Sequence, residues 1–251
     1  MILEEAQELV AEEENYFVSM TDLMVGLVFV FIILLMYFAI TFQSVTEELT
    51  GANNARSDIL EELERTLKSK GVPVQVDLQD GVLRLPDSIL FDSGQKQLKP
   101  EGEVAITHLS NALADVLPCY SQGIVRKPSC PATEHRIESV YVEGHTDSDR
   151  YAQGRNGLQD NWDLSVVRAT NTYRALTARR QELQQLCVKK GARCEPILSV
   201  SGYGEQRPVP DRSGSIEDRK TRNRRIDLRL IMKTPDAGET RRAIDDRLTR
   251  Q

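Results

Sequence analysis

Residues 16–42, YFVSMTDLMVGLVFVFIILLMYFAITF, constrain this chain more than any other stretch. Between positions 23 and 40 there is no charge, Asn, Gln or Pro, and a run of roughly 18 such residues marks a membrane-spanning helix. A single span is predicted. At about 1.5 Å rise per residue, positions 17–40 cover the roughly 30 Å hydrocarbon core and leave Asp22 about one turn inside the near boundary. An ionised carboxylate in lipid costs on the order of 2.5 to 3.5 kcal/mol at mid-membrane and less near an edge. Asp22 is therefore expected to be protonated or to face protein or water. The competing account makes Ser19, Thr21 and Asp22 the cap of a helix whose buried part begins at Leu23. Gly26 favours the first account, because Ser19 and Gly26 lie one turn either side of Asp22 and give a narrow stripe where another helix can approach. Phe29, Phe31, Leu34 and Leu35 suit lipid or apolar partner helices. A carboxyl group held there can accept a proton from one side and release it to the other, driven by about 2.3 kcal/mol per charge per 100 mV.

Met20-Thr21-Asp22-Leu23-Met24 resembles the A-D-x-M signature in the single helix of MotB-type stator subunits. The resemblance implies that Asp22 is the proton carrier of an ion-driven motor.

The rest of the chain sets the remaining limits. It has 251 residues and a net charge of -6; outside positions 219–225 there is no sustained basic stripe, so no nucleic-acid partner is expected. Cys119, Cys130, Cys187 and Cys194 all follow the apolar segment in two sequence-local pairs, which fits an oxidising compartment. The simplest of the three connectivities joins Cys119 to Cys130 and Cys187 to Cys194. Zinc is disfavoured, since there is no C-x-x-C and His108, His135 and His145 lack ligand-like spacing, and neither metal nor cofactor is expected. A cleaved signal peptide is disfavoured as well. The start is Glu-rich, at Glu4, Glu5, Glu8 and positions 12–14, and no Lys or Arg precedes Arg56, so charge does not decide orientation.

Residues 1–15 read as an acidic tail of helix, 16–42 as the span, and 43–73 as a helical linker with Leu60, Leu63 and Leu67 at helical spacing and a stop at Gly71. Between a coiled-coil neck joining two copies and a solvated linker, the neck is preferred. Positions 74–85 read as a hairpin turning at Asp80-Gly81. Pro100 opens a helix through Leu117 with Val104, Leu109, Leu113 and Leu117 on one face. Positions 137–143 form a strand ending in Gly144-His145-Thr146-Asp147. A long helix is predicted over positions 161 to about 189, capped by Asn161 and closed near Gly191. Strands follow at 197–203 and 225–232, and a charged tail at 234–251. The alternation predicts an α+β domain over 74–233: one sheet with helices on a face.

Five motifs occur in the order found in OmpA-like peptidoglycan-binding domains: FDSG at 91–94, GHTD at 144–147, Asn161, Leu164, Ser165, Arg168 and Ala169 as N-x-x-L-S-x-x-R-A, GYGEQRP at 202–208, and NRRID at 223–227. This resemblance covers about positions 74–232. It implies a periplasmic domain that grips the diaminopimelate of peptidoglycan stems, with Asp147 and Arg168 as the main pair. The chemistry agrees, since a carboxylate takes the ligand's ammonium and a guanidinium takes its carboxylate in a two-pronged bond. The bland alternative is an internal salt bridge between loop and helix. Asn161 is expected to cap the helix and shape the pocket, Leu164 to be core, Arg224 to pin the loop or touch ligand, Asn223 to order a turn, and His145 to be structural. The loop at 148–160, with Asp149, Arg150 and Arg155, is longer than the family's usual loop.

A proton-bearing helix joined to a wall-binding domain resembles a MotB-like stator subunit. The acidic start and a separation of only about thirty residues between span and domain resemble ZorB chains, the MotB-like partners of ZorA in Zorya anti-phage membrane complexes. That implies a ZorA-like multi-helix membrane partner, a second copy of the chain, a cytoplasmic N-terminus and a periplasmic C-terminal domain. A flagellar-type stator subunit and a passive wall anchor are the alternatives. No enzyme is expected, because no nucleophile and base pair or phosphate loop is found.

Overall fold

The computed structural model describes residues 2–151, 154, 157–210 and 213–234, with side chains from Met20 onward. The side chains of the acidic tail and of Ser19, all of Arg155, and residues 235–251 lie outside the described residues. Helix α1 runs unbroken over Ile2–Ser69, so tail, span and linker are one helix. Its apolar stretch is the one described helix long and apolar enough to cross a membrane. Residues 20–39 of it are exposed in the isolated chain apart from any neighbour.

The chain divides into two compact units, the second being Thr50–Thr234. That boundary corrects the neck. Leu60, Leu63 and Leu67 are fully buried, together with Ile59, Ala52 and Ala55, in the same core as the sheet and helices of this one chain. Their 3.6-residue period is that of a helix packing on its own domain, a pattern that sequence spacing does not distinguish from a seam between two copies. The helix ends where expected. Gly71 takes φ +75, Val72 N–H bonds to the Leu67 carbonyl at 3.0 Å and Gly71 N–H to that of Lys68 at 3.0 Å, the pattern of a glycine-closed C-terminus with an apolar clasp between Leu67 and Val72. Leu63→Ala is expected to cost about 2 to 5 kcal/mol of unfolding free energy, read by urea titration of the full chain; a loss near zero would return Leu63 to an exposed linker.

Five strands form one sheet in the order β1-β2-β7-β3-β6: β1 Gln75–Asp77, β2 Val82–Pro86, β3 Ile137–His145, β6 Leu198–Gly202 and β7 Arg225–Met232. All pairs are antiparallel except β3 with β6. One face carries Leu83, Leu85, Val140, Val142, Ile226, Leu228 and Leu230 into the core. The period of two along each strand puts Arg84, Glu143, His145, Arg225, Asp227 and Arg229 on the other face. Short α2, Asp87–Leu90, follows β2, and α3 spans Pro100–Val116 with Pro100 in its first turn. Leu109, Leu113 and Leu117 are buried, whereas Val104 is 58% exposed, because a five-residue step from Val104 to Leu109 leaves the shared face.

The helix predicted over positions 161 to about 189 ends ten residues early. Helix α4 covers Asn161–Arg179, followed by a 3-10 turn over Gln181–Gln185 and a hairpin of β4 Cys187–Lys190 with β5 Arg193–Pro196. The run LQQLCVKK has helix-forming composition, but Gly191 at φ +63 and the Cys187–Cys194 disulfide fold it back as strands. The other disulfide is Cys119–Cys130, so both bridges follow the simplest connectivity. Main-chain bonds between Gln122 and Cys187, at 2.9 and 3.0 Å, join the two stapled segments.

Candidate functional site

The site forms where β3 and β6 deliver their C-terminal ends to the start of α4. Gly144 and Gly202 are neighbours across those two strands. A Cβ on Gly144 would lie 2.0 Å from the Ser165 carbonyl oxygen, and one on Gly202 would strike Val166 and Ser165. The paired glycines let the α4 backbone sit directly on the sheet. Ser165 completes the joint: its Oγ accepts from Gly204 N–H at 3.0 Å and donates to the Trp162 carbonyl at 2.8 Å. This explains the serine of the N-x-x-L-S motif, for which sequence reading assigned no role.

Asp147 begins the loop after β3. Its Oδ1 accepts from the Asp149 N–H at 3.1 Å and its Oδ2 from Arg224 Nη1 at 2.6 Å. Arg224, at the end of α5 (Ile216–Asn223), also donates to Glu217 at 3.2 Å and to Thr221 at 2.9 Å. Its side chain stays 31% exposed while that of Asp147 is 11% exposed, so an incoming group can reach this ion pair from the arginine side. The cap of α4 is Asp160, whose carboxylate accepts from Asp163 N–H at 3.0 Å. Asn161 is corrected from cap to clamp. Its amide donates to the Asp149 carbonyl at 2.9 Å and the Asp147 carbonyl at 3.4 Å, holding the loop that presents Asp147. Leu164 packs with Tyr151, Leu158 and Val167 beneath that loop. Asn223 accepts from Val209 N–H at 2.8 Å and orders the chain before β7.

Arg168 is in a different condition. Only 3% of its side chain is exposed, and it does not bond to Asp147. Nη1 donates to Asp87 Oδ2 at 2.9 Å, Nε to the Gln95 carbonyl at 2.8 Å, and Nη2 to the Asp92 carbonyl at 3.2 Å, with the guanidinium 4.9 Å above the Phe91 ring. The FDSG segment is thus the cradle of this arginine. Tyr151 donates to the next carbonyl along, that of Gly94, at 3.2 Å. Asp87 was not singled out from sequence; a lone carboxylate between Pro86 and the apolar Ile89-Leu90-Phe91 was the available signal. Burial pushes its carboxyl up to about 6, against the opposing pull of Arg168 and then Arg224, with Asp147 adding to the rise. Its main-chain N–H donates to the Arg224 carbonyl at 2.9 Å. Asp87 therefore ties both guanidinium-bearing segments together.

A second charged cluster lies on the far face of the sheet. Glu143, His145 and Asp227 bring ligand-type atoms within 4.8 Å of one another. Arg229 Nε binds both Glu143 oxygens at 3.0 and 3.1 Å, Arg225 Nε binds Asp227 at 2.9 Å, and Tyr203 donates to Glu143 at 3.3 Å while stacking on His145. The carboxylate charge is already met by guanidinium groups, and a divalent cation there would add uncompensated positive charge. Burial lowers the His145 imidazole below its ordinary value and raises the Asp227 carboxyl.

No protein-family model matches the chain. It is 26% identical over 178 residues to "Motility protein B" of Bacillus subtilis (strain 168), which covers 69% of this chain and 55% of that protein. The chain thus matches little more than half of its curated relative's length. Among solved structures it resembles the periplasmic domain of Helicobacter pylori MotB (TM-score 0.47, 19% identity, 72% of this chain and 93% of that one). It also resembles the cell wall anchor of the T6SS from Pseudomonas aeruginosa (TM-score 0.46, 19% identity, 70% and 97%).

Proposed function

We propose that this chain is a peptidoglycan-anchored, MotB-like subunit of a proton-driven inner-membrane motor complex of the ZorA–ZorB type, acting in anti-phage defence. In this reading two copies sit within a ring of a ZorA-like multi-helix partner, with the N-terminus cytoplasmic and the Thr50–Thr234 unit in the periplasm. Asp22 cycles protons. Asp147, Arg168, Asn161, Leu164 and Arg224 hold the diaminopimelate of the wall. The observation that carries the reading is the union, in one chain, of an acid-bearing apolar helix with a carboxylate–guanidinium pair at Asp147 and Arg224 whose arginine is partly exposed. The similarity to Motility protein B supports the MotB-like part, and it equally favours a second reading, a motility stator, which a motility assay separates from defence.

The wall-binding half is tested by sedimenting the full chain, in mild detergent, with purified peptidoglycan sacculi. Loss of a charge-assisted bond amounts to about 1.5 to 3 kcal/mol, so Asp147→Ala is expected to weaken binding about ten- to a hundred-fold without loss of fold. Wild-type protein that stays in the supernatant, or a variant that pellets as well as wild type, would count against wall anchoring.

A further inference from the structure

Asp87 belongs to no motif quoted for the wall-binding family, yet it holds the arginine that those motifs assign to ligand. Resting on the wall-binding reading, we infer that Asp87 is the internal counter-carboxylate of the site: it occupies Arg168 when the site is empty and takes up a proton when a ligand carboxylate engages that guanidinium.

The geometry supports this in three ways. Arg168 Nη1 is bonded to Asp87 Oδ2 at 2.9 Å in a nearly fully buried pair, so an arriving carboxylate must share one cation with an anion already there. The second Asp87 oxygen, Oδ1, is buried and has no hydrogen-bond partner among the described residues. Protonated, it becomes a donor that meets the ligand carboxylate and removes the repulsion. The charged groups acting on Asp87 are Arg168 from α4, Arg224 from the end of α5 and Asp147 from the loop after β3, and burial holds the Asp87 carboxyl where a proton is exchanged near neutrality. The proton comes from solvent on binding and returns to it on release, so the step balances. Tyr151 also acts on Arg168, but its hydroxyl is directed to Gly94.

The sign follows from linkage. The bound state holds more protons than the empty one, so affinity falls as pH rises through the Asp87 value of about 6. With bound Asp87 protonated throughout, the full chain's affinity for free meso-diaminopimelate is expected to drop about tenfold between pH 5 and pH 7. Ligand carboxylates and ammonium groups do not titrate in that window.

Calorimetry in two buffers of different ionisation enthalpy reads the uptake directly: about half a proton per ligand at pH 6 and close to one at pH 7. Asp87→Asn is expected to remove the uptake and flatten the pH profile. Wild-type heats that do not depend on buffer, or an Asp87→Asn variant that still takes up protons, would overturn the inference. Should that variant not fold, carboxyl-carbon NMR of the wild-type aspartates replaces it: the Asp87 midpoint must climb on adding ligand, and an unmoved midpoint is fatal. If wild type binds neither meso-diaminopimelate nor sacculi, the wall-binding reading falls and this one with it; binding without proton uptake removes only the role of Asp87.

Discussion

Asp22→Asn is expected to leave the complex assembled and bound to the wall while abolishing its ion-driven activity. Asparagine keeps the size and the hydrogen-bonding of the side chain but cannot take up and release a proton, so the change isolates the chemistry from the packing. The helix is continuous through this position, and a Cβ built on Gly26, one turn further on, meets nothing within 4 Å. A partner helix can therefore come close to the backbone beside the carboxyl group. The driving force of about 2.3 kcal/mol per charge per 100 mV acts only if a charge moves. Proton uptake into vesicles holding the chain with its membrane partner, and protection of cells against phage, provide the measurements. Full activity in Asp22→Asn would end the motor reading. Asp22→Leu divides the remaining readings, because a passive anchor tolerates it and a stator does not.

The second large effect concerns stability. Arg168→Ala is expected to cost about 3 to 5 kcal/mol at pH 8, since it leaves Asp87 as an uncompensated buried charge. The pH dependence has a definite sign. A carboxyl group raised in the folded state contributes stability that is fully present below its unfolded value and is lost as pH climbs through the folded one. In the wild type that loss ends near the Asp87 value of about 6. Without Arg168 the folded value rises further, so the variant goes on losing stability above pH 6, by about 1.4 kcal/mol per pH unit. The gap between variant and wild type should therefore be smallest below pH 6 and widen towards pH 8. Urea unfolding at pH 5.5 and 8 measures it. A cost below about 1 kcal/mol, or one equal at both pH values, would show that the pair does not hold this corner of the domain.

The second expectation bears on how an arginine can serve fold and ligand together. Arg168 is sheltered by Asp87 and by the carbonyls of Asp92 and Gln95, whereas Arg224, bonded to Asp147, stays partly exposed. In the proposed function the outer pair captures, and the inner arginine is reached by displacing the hold of Asp87.

Local chemistry determined much of this protein from its sequence. The apolar run at 23–40, the turn at Asp80-Gly81, Pro100 at a helix start, the glycine stop at 71 and the alternation along 225–232 act over a few residues, so each was legible without a fold. Sequence-local cysteines likewise pointed to their own partners. What the tertiary structure decided were matters of choice between equal local patterns. The period of Leu60, Leu63 and Leu67 serves an intramolecular core as well as a dimer seam, and only the presence of the domain against that face selects between them. The segment at 187–196 has the composition of a helix end but is bent into a hairpin by Gly191 and a disulfide. The partners of Arg168 were beyond sequence for the same reason. Asp87 lies 81 positions away and Asp147 only 21, and it is the sheet order, with β2 and β3 both beside β7, that sets which carboxylate reaches the guanidinium.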